Sequence, residues 1–385
     1  MSIPLSIGIY DKTFVQRGTF GAPLGVTVNQ KWMDAGTAQV IVSSDAPRLD
    51  AILDEDGKAS KGARLWIKDS AGQHVMSGRV TRVSTQGPAT RALTTLEITD
   101  DFQIFKDALG WVIPTAAISA QGTAGTNWTQ TGPAETVLLA AIAANIRDRL
   151  DLPVTVPVSV GRGKTITAQL RMNSIYDAFF PVDDGLGLVN DGGFGVGVRQ
   201  KVGGLEVYTW TPKTVPQTLS EESGVISDWS YDIAAPTITR GVIGGAGDGT
   251  LRVWRERADT DLEEQIGWKM ETWKDDSSVS DPTQLYNDLQ GALDDGASKV
   301  GLSITFSQTE NFKLGTQYTI GDVVKASLGG VSVTDRLTTA TLTWTADGGY
   351  KAVPQIGDRT DDPDEANISL VARIARAIRR SNAGH

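Results

Sequence analysis

The side chains that most often do chemistry are scarce in this sequence. It has two histidines, His74 and His385, and no cysteine. That removes thiolate nucleophiles, disulfides, cysteine-ligated zinc, and any histidine pair or serine triad built within one chain. Carboxylates remain, because glycoside hydrolysis needs only two Asp or Glu residues flanking a bond. Asp183-Asp184, Asp275-Asp276 and Asp294-Asp295 are of the right type. Each falls in a turn-like or helix-end context, where acids serve as solvated caps. Among 46 acidic residues, adjacent pairs also arise by chance. The sequence therefore assigns no catalytic residue, metal ligand or cofactor site, and the chain reads as a non-enzyme.

Two glycine-rich segments invite a nucleotide reading and fail it on spacing. In Gly161-Arg162-Gly163-Lys164-Thr165 a phosphate loop needs a glycine five positions before Gly163, and that position is Val158. The following Thr165–Leu170 has the pattern of a strand, not the helix that a phosphate loop opens. Gly185 to Gly197 alternates glycine with apolar residues in an extended pattern, so its glycines point to a tight hairpin or close backbone approach. Of 10 tryptophans, Trp210, Trp229, Trp254, Trp268, Trp273 and Trp344 lie in the second half. Core or subunit interface is the expected use; a glycan platform would need several rings exposed on one face.

The elements that must carry these residues are mostly strands. Residues 1–108 alternate apolar and polar side chains over Thr37–Ser43, Arg64–Lys68, His74–Val83 and Leu93–Thr99, which predicts a small β-barrel or sandwich, a barrel being the expectation carried forward. Asp69-Ser70-Ala71-Gly72 supplies the turn of a hairpin inside it, and Asp54-Glu55-Asp56-Gly57 a charged loop. Residues 109–222 read as an α+β domain. Pro133 starts a helix whose stripe is Leu138, Ile142, Ile146 and Leu150, Ser174–Phe180 is a second helix, and Leu205–Trp210 is a strand. Residues 223–357 read as a second β-barrel with a helical insertion near 256–300. Its strands are Thr237–Gly244, Thr250–Arg255, Gly301–Phe306, Tyr318–Leu328, Val331–Val333 and Leu337–Thr345. Its helix is capped by Asp281 and Pro282 and carries Leu285, Leu289 and Leu293. The expected class is mainly β with α+β parts.

Residues 358–385 form an acidic linker, Asp358 to Glu365, and then a C-terminal helix. Its apolar stripe is Ile368, Val371, Ala375 and Ile378, beside Arg373, Arg376, Arg379 and Arg380, the pattern of an element that docks another subunit. The net charge of −10 opposes general nucleic-acid binding. Met1–Tyr10 reads as a strand instead of a signal peptide, and no run approaches the roughly 18 apolar residues of a membrane span. Synthesis in a host cytoplasm is expected.

The order of short motifs resembles the baseplate-hub, or tail-associated hub, proteins of long-tailed phages, the minor tail proteins of siphophages in particular. The resembling residues begin with Val75-Met76-Ser77-Gly78-Arg79-Val80, then Thr239 to Gly245, Arg255-Glu256 and the helix Leu285–Leu293. The strongest piece is Tyr318-Thr319-Ile320-Gly321-Asp322-Val323-Val324, similar to that family's Tyr-x-x-Gly-Asp-x-Val step, with Tyr318, Gly321, Asp322 and Val323 in structural roles. The resemblance implies a homotrimer whose paired barrels make a pseudo-sixfold ring at the tail tip of a virion. Its expected partners are a tail tube or distal tail protein and tip or receptor-binding proteins. Tape-measure protein and DNA would pass through the lumen without specific binding. The alternative is a cell-wall carbohydrate-active or carbohydrate-binding tail protein.

Overall fold

The structure is a computed structural model, and it describes residues 5–53, 62–87, 92–121, 125, 127–181, 186–220, 222, 226–233, 235–277, 279–296, 300–306, 314–328, 331–345 and 349–356. The strands in chain order are β1 (Leu5–Tyr10), β2 (Gln16–Phe20), β3 (Gly25–Lys31), β4 (Thr37–Ser43), β5 (Arg64–Asp69), β6 (His74–Gln86) and β7 (Leu93–Asp100). They continue with β8 (Trp128–Pro133), β9 (Val154–Thr155), β10 (Thr165–Leu170), β11 (Gly195–Lys201), β12 (Gly204–Trp210), β13 (Thr214–Ser220) and β14 (Ile226–Ile233). The last are β15 (Arg240–Gly244), β16 (Trp254–Ala258), β17 (Glu271–Asp275), β18 (Val300–Phe306), β19 (Val323–Leu328), β20 (Val331–Thr345) and β21 (Gly349–Ile356). The α-helices are α1 (Ile104–Asp107), α2 (Ala134–Ile142), α3 (Ile175–Phe179), α4 (Leu188–Asp191), α5 (Thr260–Ile266) and α6 (Pro282–Asp295). The protein is mainly β, in several sheets. Among the described residues no helix is long and apolar enough to cross a membrane.

The chain divides into two compact units, one comprising Met1–Ser227 with Thr305–Lys325 and Arg336–Pro354, the other built mainly from Asp228–Ile304. In the first, an antiparallel sheet runs β20-β3-β4-β7-β6-β5-β1-β2. Its β20 contribution is Thr339–Thr345, paired against Lys31–Gly25. Period-two alternation explains the sheet: Ala38, Val40 and Val42 of β4 are buried while their neighbours are not. These side chains pack with Ile7, Ile9, Val26, Val28, Leu65, Ile67, Leu96, Ile98, Leu342 and Trp344. Each fully buried aliphatic of this kind contributes roughly 1.5–3 kcal/mol. The β5–β6 hairpin closes as its turn chemistry predicts. Asp69 Oδ1 accepts from the Ala71 and Gln73 amides at 2.8 Å, and Gly72 takes φ +77°. Gly78 lies where β6 crosses Thr99 so closely that a Cβ would run into its carbonyl.

The same unit holds a second core. Val137, Leu138 and Ile142 of α2 and Ile146 pack with Phe102, Phe105, Phe179, Phe180, Phe194 and Val196. A buried polar clasp ties the sheet to β11. Arg64 pairs with Asp101 and donates to Gln200 Oε1 at 2.9 Å, while Ser77 donates to Asp101 at 2.7 Å and accepts from the Gln200 amide at 2.8 Å.

Four sequence expectations change. The helix at Pro133 holds for Leu138, Ile142 and Ile146, all fully buried, but Leu150 is 40% exposed. Residues Ala143–Asp148 are a π turn, which takes more residues per turn than an α-helix and rotates Leu150 off the stripe. The segment after 185 is not all extended: α4 precedes β11. The expected strand Thr250–Arg255 is instead a 3₁₀ turn at Gly249–Leu251 followed by β16. Tyr318 to Asp322 is a turn, and the strand starts at Val323, while Val331–Val333 and Leu337–Thr345 belong to one strand, β20.

In the second unit, β15 lies between β16, antiparallel to it, and β17, parallel to it. α6 covers one face: Leu285 and Leu289 bury against Ile243. Gly241 lets the helix approach, since a Cβ there would stand 2.8 Å from Leu289 Cδ2. The helix starts as expected, with Asp281 Oδ1 accepting from the Thr283 amide at 2.9 Å. The segment 256–300 therefore carries α5 and β17 as well as the predicted helix. The Asp54–Gly57 loop lies outside the described residues.

Candidate functional site

The family-like turn is bound tightly into the first unit. Tyr318 is fully buried and Asp322 is 2% exposed. Asp322 Oδ1 accepts from the Lys213 amide at 2.9 Å. Its Oδ2 accepts from the Thr319 amide at 2.9 Å and the Thr319 hydroxyl at 3.2 Å. The backbone is bound on both sides: Gly321 N–H donates to the Leu337 carbonyl, Leu337 N–H to the Asp322 carbonyl, and Val323 N–H to the Lys213 carbonyl. Gly321 stands at φ +95°, and a Cβ there would land on the indole of Trp32. Arg336 stacks 4.7 Å over that indole and donates to the Gly321 carbonyl at 2.8 Å. Trp32 in turn donates to the Val189 carbonyl at 2.7 Å and meets Trp210 edge-on at 5.7 Å. One Gly-Asp step thus ties the turn after β3, α4, β12 and the residues Arg336 and Leu337 into a single joint.

The second unit presents a different surface. By strand alternation the face of β16-β15-β17 away from α6 carries Val242, Trp254, Glu256, Glu271, Trp273 and Asp275. Trp254 and Trp273 are 52% and 49% exposed and pack against each other, with centroids 5.1 Å apart and planes 34° apart. Gly244 makes room for this, since a Cβ there would meet Trp273 Cη2 at 2.5 Å. Arg252 lies over both rings at 5.2 and 5.4 Å and is fixed by the Gly244 carbonyl and Asp275. Arg240 is held by Glu256 and Glu263.

A family profile for the Siphovirus ReqiPepy6 Gp37-like protein matches residues 6–358. The chain belongs to that family. The fold agrees with three tail-protein crystal structures over nearly their whole length. The 43 kDa tail protein of prophage MuSo2 from Shewanella oneidensis superposes with a TM-score of 0.58 at 12% identity, covering 94% of this chain and 100% of that one. The tail protein from Neisseria meningitidis MC58 gives 0.55 at 11%, covering 95% and 100%. Prophage tail protein gp18 from Listeria monocytogenes EGD-e gives 0.53 at 10%, covering 97% and 99%. No curated protein matches the chain by sequence. The fold of this Gp37-like chain is thus that of phage tail proteins, as the order of motifs suggested.

Asp275 is ion-paired to Arg252 at the end of β17, Asp294 and Asp295 close α6, and Asp183-Asp184 lies outside the described residues. The glycine-rich turn Gly161–Gly163 has its anion already. Buried Glu135 at the start of α2 accepts from the Val160 and Arg162 amides at 3.0 and 2.9 Å. It also accepts from Ser159 Oγ at 3.1 Å, Thr209 Oγ1 at 2.7 Å and Arg162 Nη1 at 2.5 Å. Burial opposes ionisation there, but these donors outweigh it and hold the carboxyl at about 2. Amides that could have cradled a phosphate are taken by the protein's own side chain. Sequence reasoning did not find Glu135, since an acid in a first helical turn looks like any other. Gly195 and Gly197 permit the close approach expected of them, facing the rings of Trp210 and Tyr208. The residues expected from sequence to dock another subunit, Ile368, Val371, Arg373, Ala375, Arg376, Ile378, Arg379 and Arg380, lie outside the described residues and beyond the family match, which ends at 358.

Proposed function

We propose that the chain is a structural hub of a siphophage tail tip, a homotrimer whose subunits each contribute two barrel-like β units to a ring. The ring joins the tail tube to tip proteins, and tape-measure protein and DNA pass through its lumen. The observation that carries this reading is the fold match, 94% of this chain against 100% of the MuSo2 tail-protein chain, beside the family match over residues 6–358. The acidic net charge of −10 suits a passage that must not retain DNA. In this reading the protein is not an enzyme: the buried carboxylates Glu135, Asp101 and Asp322 are each spent on hydrogen bonds that hold the fold. The C-terminal residues Ile368 to Arg380 dock the next tip protein.

Immunogold labelling of intact virions tests the placement. Antibody against the chain is expected at the tail end distal to the capsid, and labelling of capsids or free host proteins alone would contradict it. Incubation of purified protein with host cell wall is expected to release no soluble saccharide or peptide; release above a buffer control would install the enzymatic alternative.

A further inference from the structure

The open face of β16-β15-β17 is the most unusual surface among the described residues. Isolated exposed apolar side chains are normal, but two large rings packed on each other, each half in water, with a guanidinium laid across them, form a preorganised patch. The patch has a sign. Glu256, Glu263, Glu271 and Asp275 stand on or beside it; Arg240 pairs with Glu256 and Glu263 and Arg252 with Asp275, so four carboxylates against two guanidinium groups leave a negative surplus. A complementary occupant is apolar along one stripe and cationic beside it, with guanidinium groups able to stack on indole.

The chain contains one such stretch. Residues 368–380 read Ile-Ser-Leu-Val-Ala-Arg-Ile-Ala-Arg-Ala-Ile-Arg-Arg, with four arginines and no acid, whereas the net charge of the whole is −10. Residues 357–367 separate it from Ile356, the last residue of β21, and that length of chain reaches about 40 Å when extended. We propose that the arginine-rich segment Ile368–Arg380 binds the Trp254–Trp273 face of its own chain in the free protein. Its apolar stripe lies on the rings, and its guanidinium groups meet Glu271 and share Glu256 and Asp275 with Arg240 and Arg252. The rings already hold Arg252 in this manner, so the chemistry needs no new arrangement of the sheet. A glycan suits the patch less well, because the two rings spend part of their faces on each other. The proposal concerns the free chain and does not require the trimeric ring. It adds that a tip protein taking up this segment must first displace it from the rings.

The absence of cysteine makes the test clean. Spin labels are placed in the full-length chain at Ser277→Cys, two residues beyond Asp275 and exposed, and Ala377→Cys, and their separation is measured by pulsed electron resonance. A narrow short-distance population is expected, broadening at high salt. It should be lost in Trp254→Ala/Trp273→Ala and also in Arg376→Gln/Arg379→Gln/Arg380→Gln, a variant that leaves the sheet untouched should the tryptophan variant fail to fold. Dilution with unlabelled chain should leave the distance unchanged. A broad distribution in the native chain, indifferent to the arginine substitutions, overturns the proposal. So does loss of the short distance on dilution, which gives the face to a neighbouring copy. Quenching of tryptophan fluorescence by soluble wall oligosaccharide, without any short distance, overturns it in favour of a glycan.

Discussion

Asp322 makes its three hydrogen bonds from a site that is almost wholly buried, so removing its carboxylate strands the amides of Lys213 and Thr319 without a partner. Asp322→Ala is expected to cost about 2–4 kcal/mol in chemical denaturation, with Asp322→Asn recovering part of it through the remaining oxygen. Gly321→Ala should be at least as damaging, since it adds a φ of +95° to a collision with Trp32. Glu135 gives a pH signature. Its carboxyl is held at about 2 in the folded protein against an ordinary 4.5. Its stabilising effect is therefore complete above pH 4.5 and is lost as pH falls from there toward 2, amounting to something on the order of 3 kcal/mol. Thermal melts of Glu135→Gln against the parent should show the parent losing its advantage across that window, and parallel acid limbs would refute the role. The Gly-Asp step is visible as a motif, but Trp32 as its partner is not, because nothing local marks which ring a distant glycine must clear.

Secondary elements were legible where a period ran undisturbed. β4, β10 and α6 keep their alternation or their i+4 leucines, and sequence placed each within a residue or two. Thr250–Arg255 went wrong because Asp248 and Gly249 close a 3₁₀ turn there, with the Asp248 side chain accepting from the Gly249 amide at 2.8 Å. That local hydrogen bond outweighs a weak β pattern. α5 and β17 escaped notice because they lie at the surface: of α5 only Glu263 is buried, so there is no apolar stripe to read. α6 is the element on which the small sheet rests. Leu289→Ala should destabilise by about 2–4 kcal/mol, read by hydrogen exchange as faster opening of the β15 amides. Unchanged β15 protection would show that the helix does not hold the sheet.

At the scale of the molecule, the sequence conveyed the fold class and the kinship through the order of short motifs, although structural relatives share only 10–12% identity. The exposed tryptophan pair was not legible, since a tryptophan in a strand looks the same whether its face is covered or open. Deletion of residues 366–385 is expected to leave the oligomer intact while abolishing incorporation of the next tip protein, scored by composition of purified tails. Normal tip assembly by the truncated chain would end the docking role. The central claim is a threefold ring, and native mass spectrometry with two-dimensional class averages of the purified full-length protein addresses it directly. A species of three 41.0 kDa chains with a central hole is predicted, on tail tips if not in free solution, and a compact monomer in both settings would contradict it.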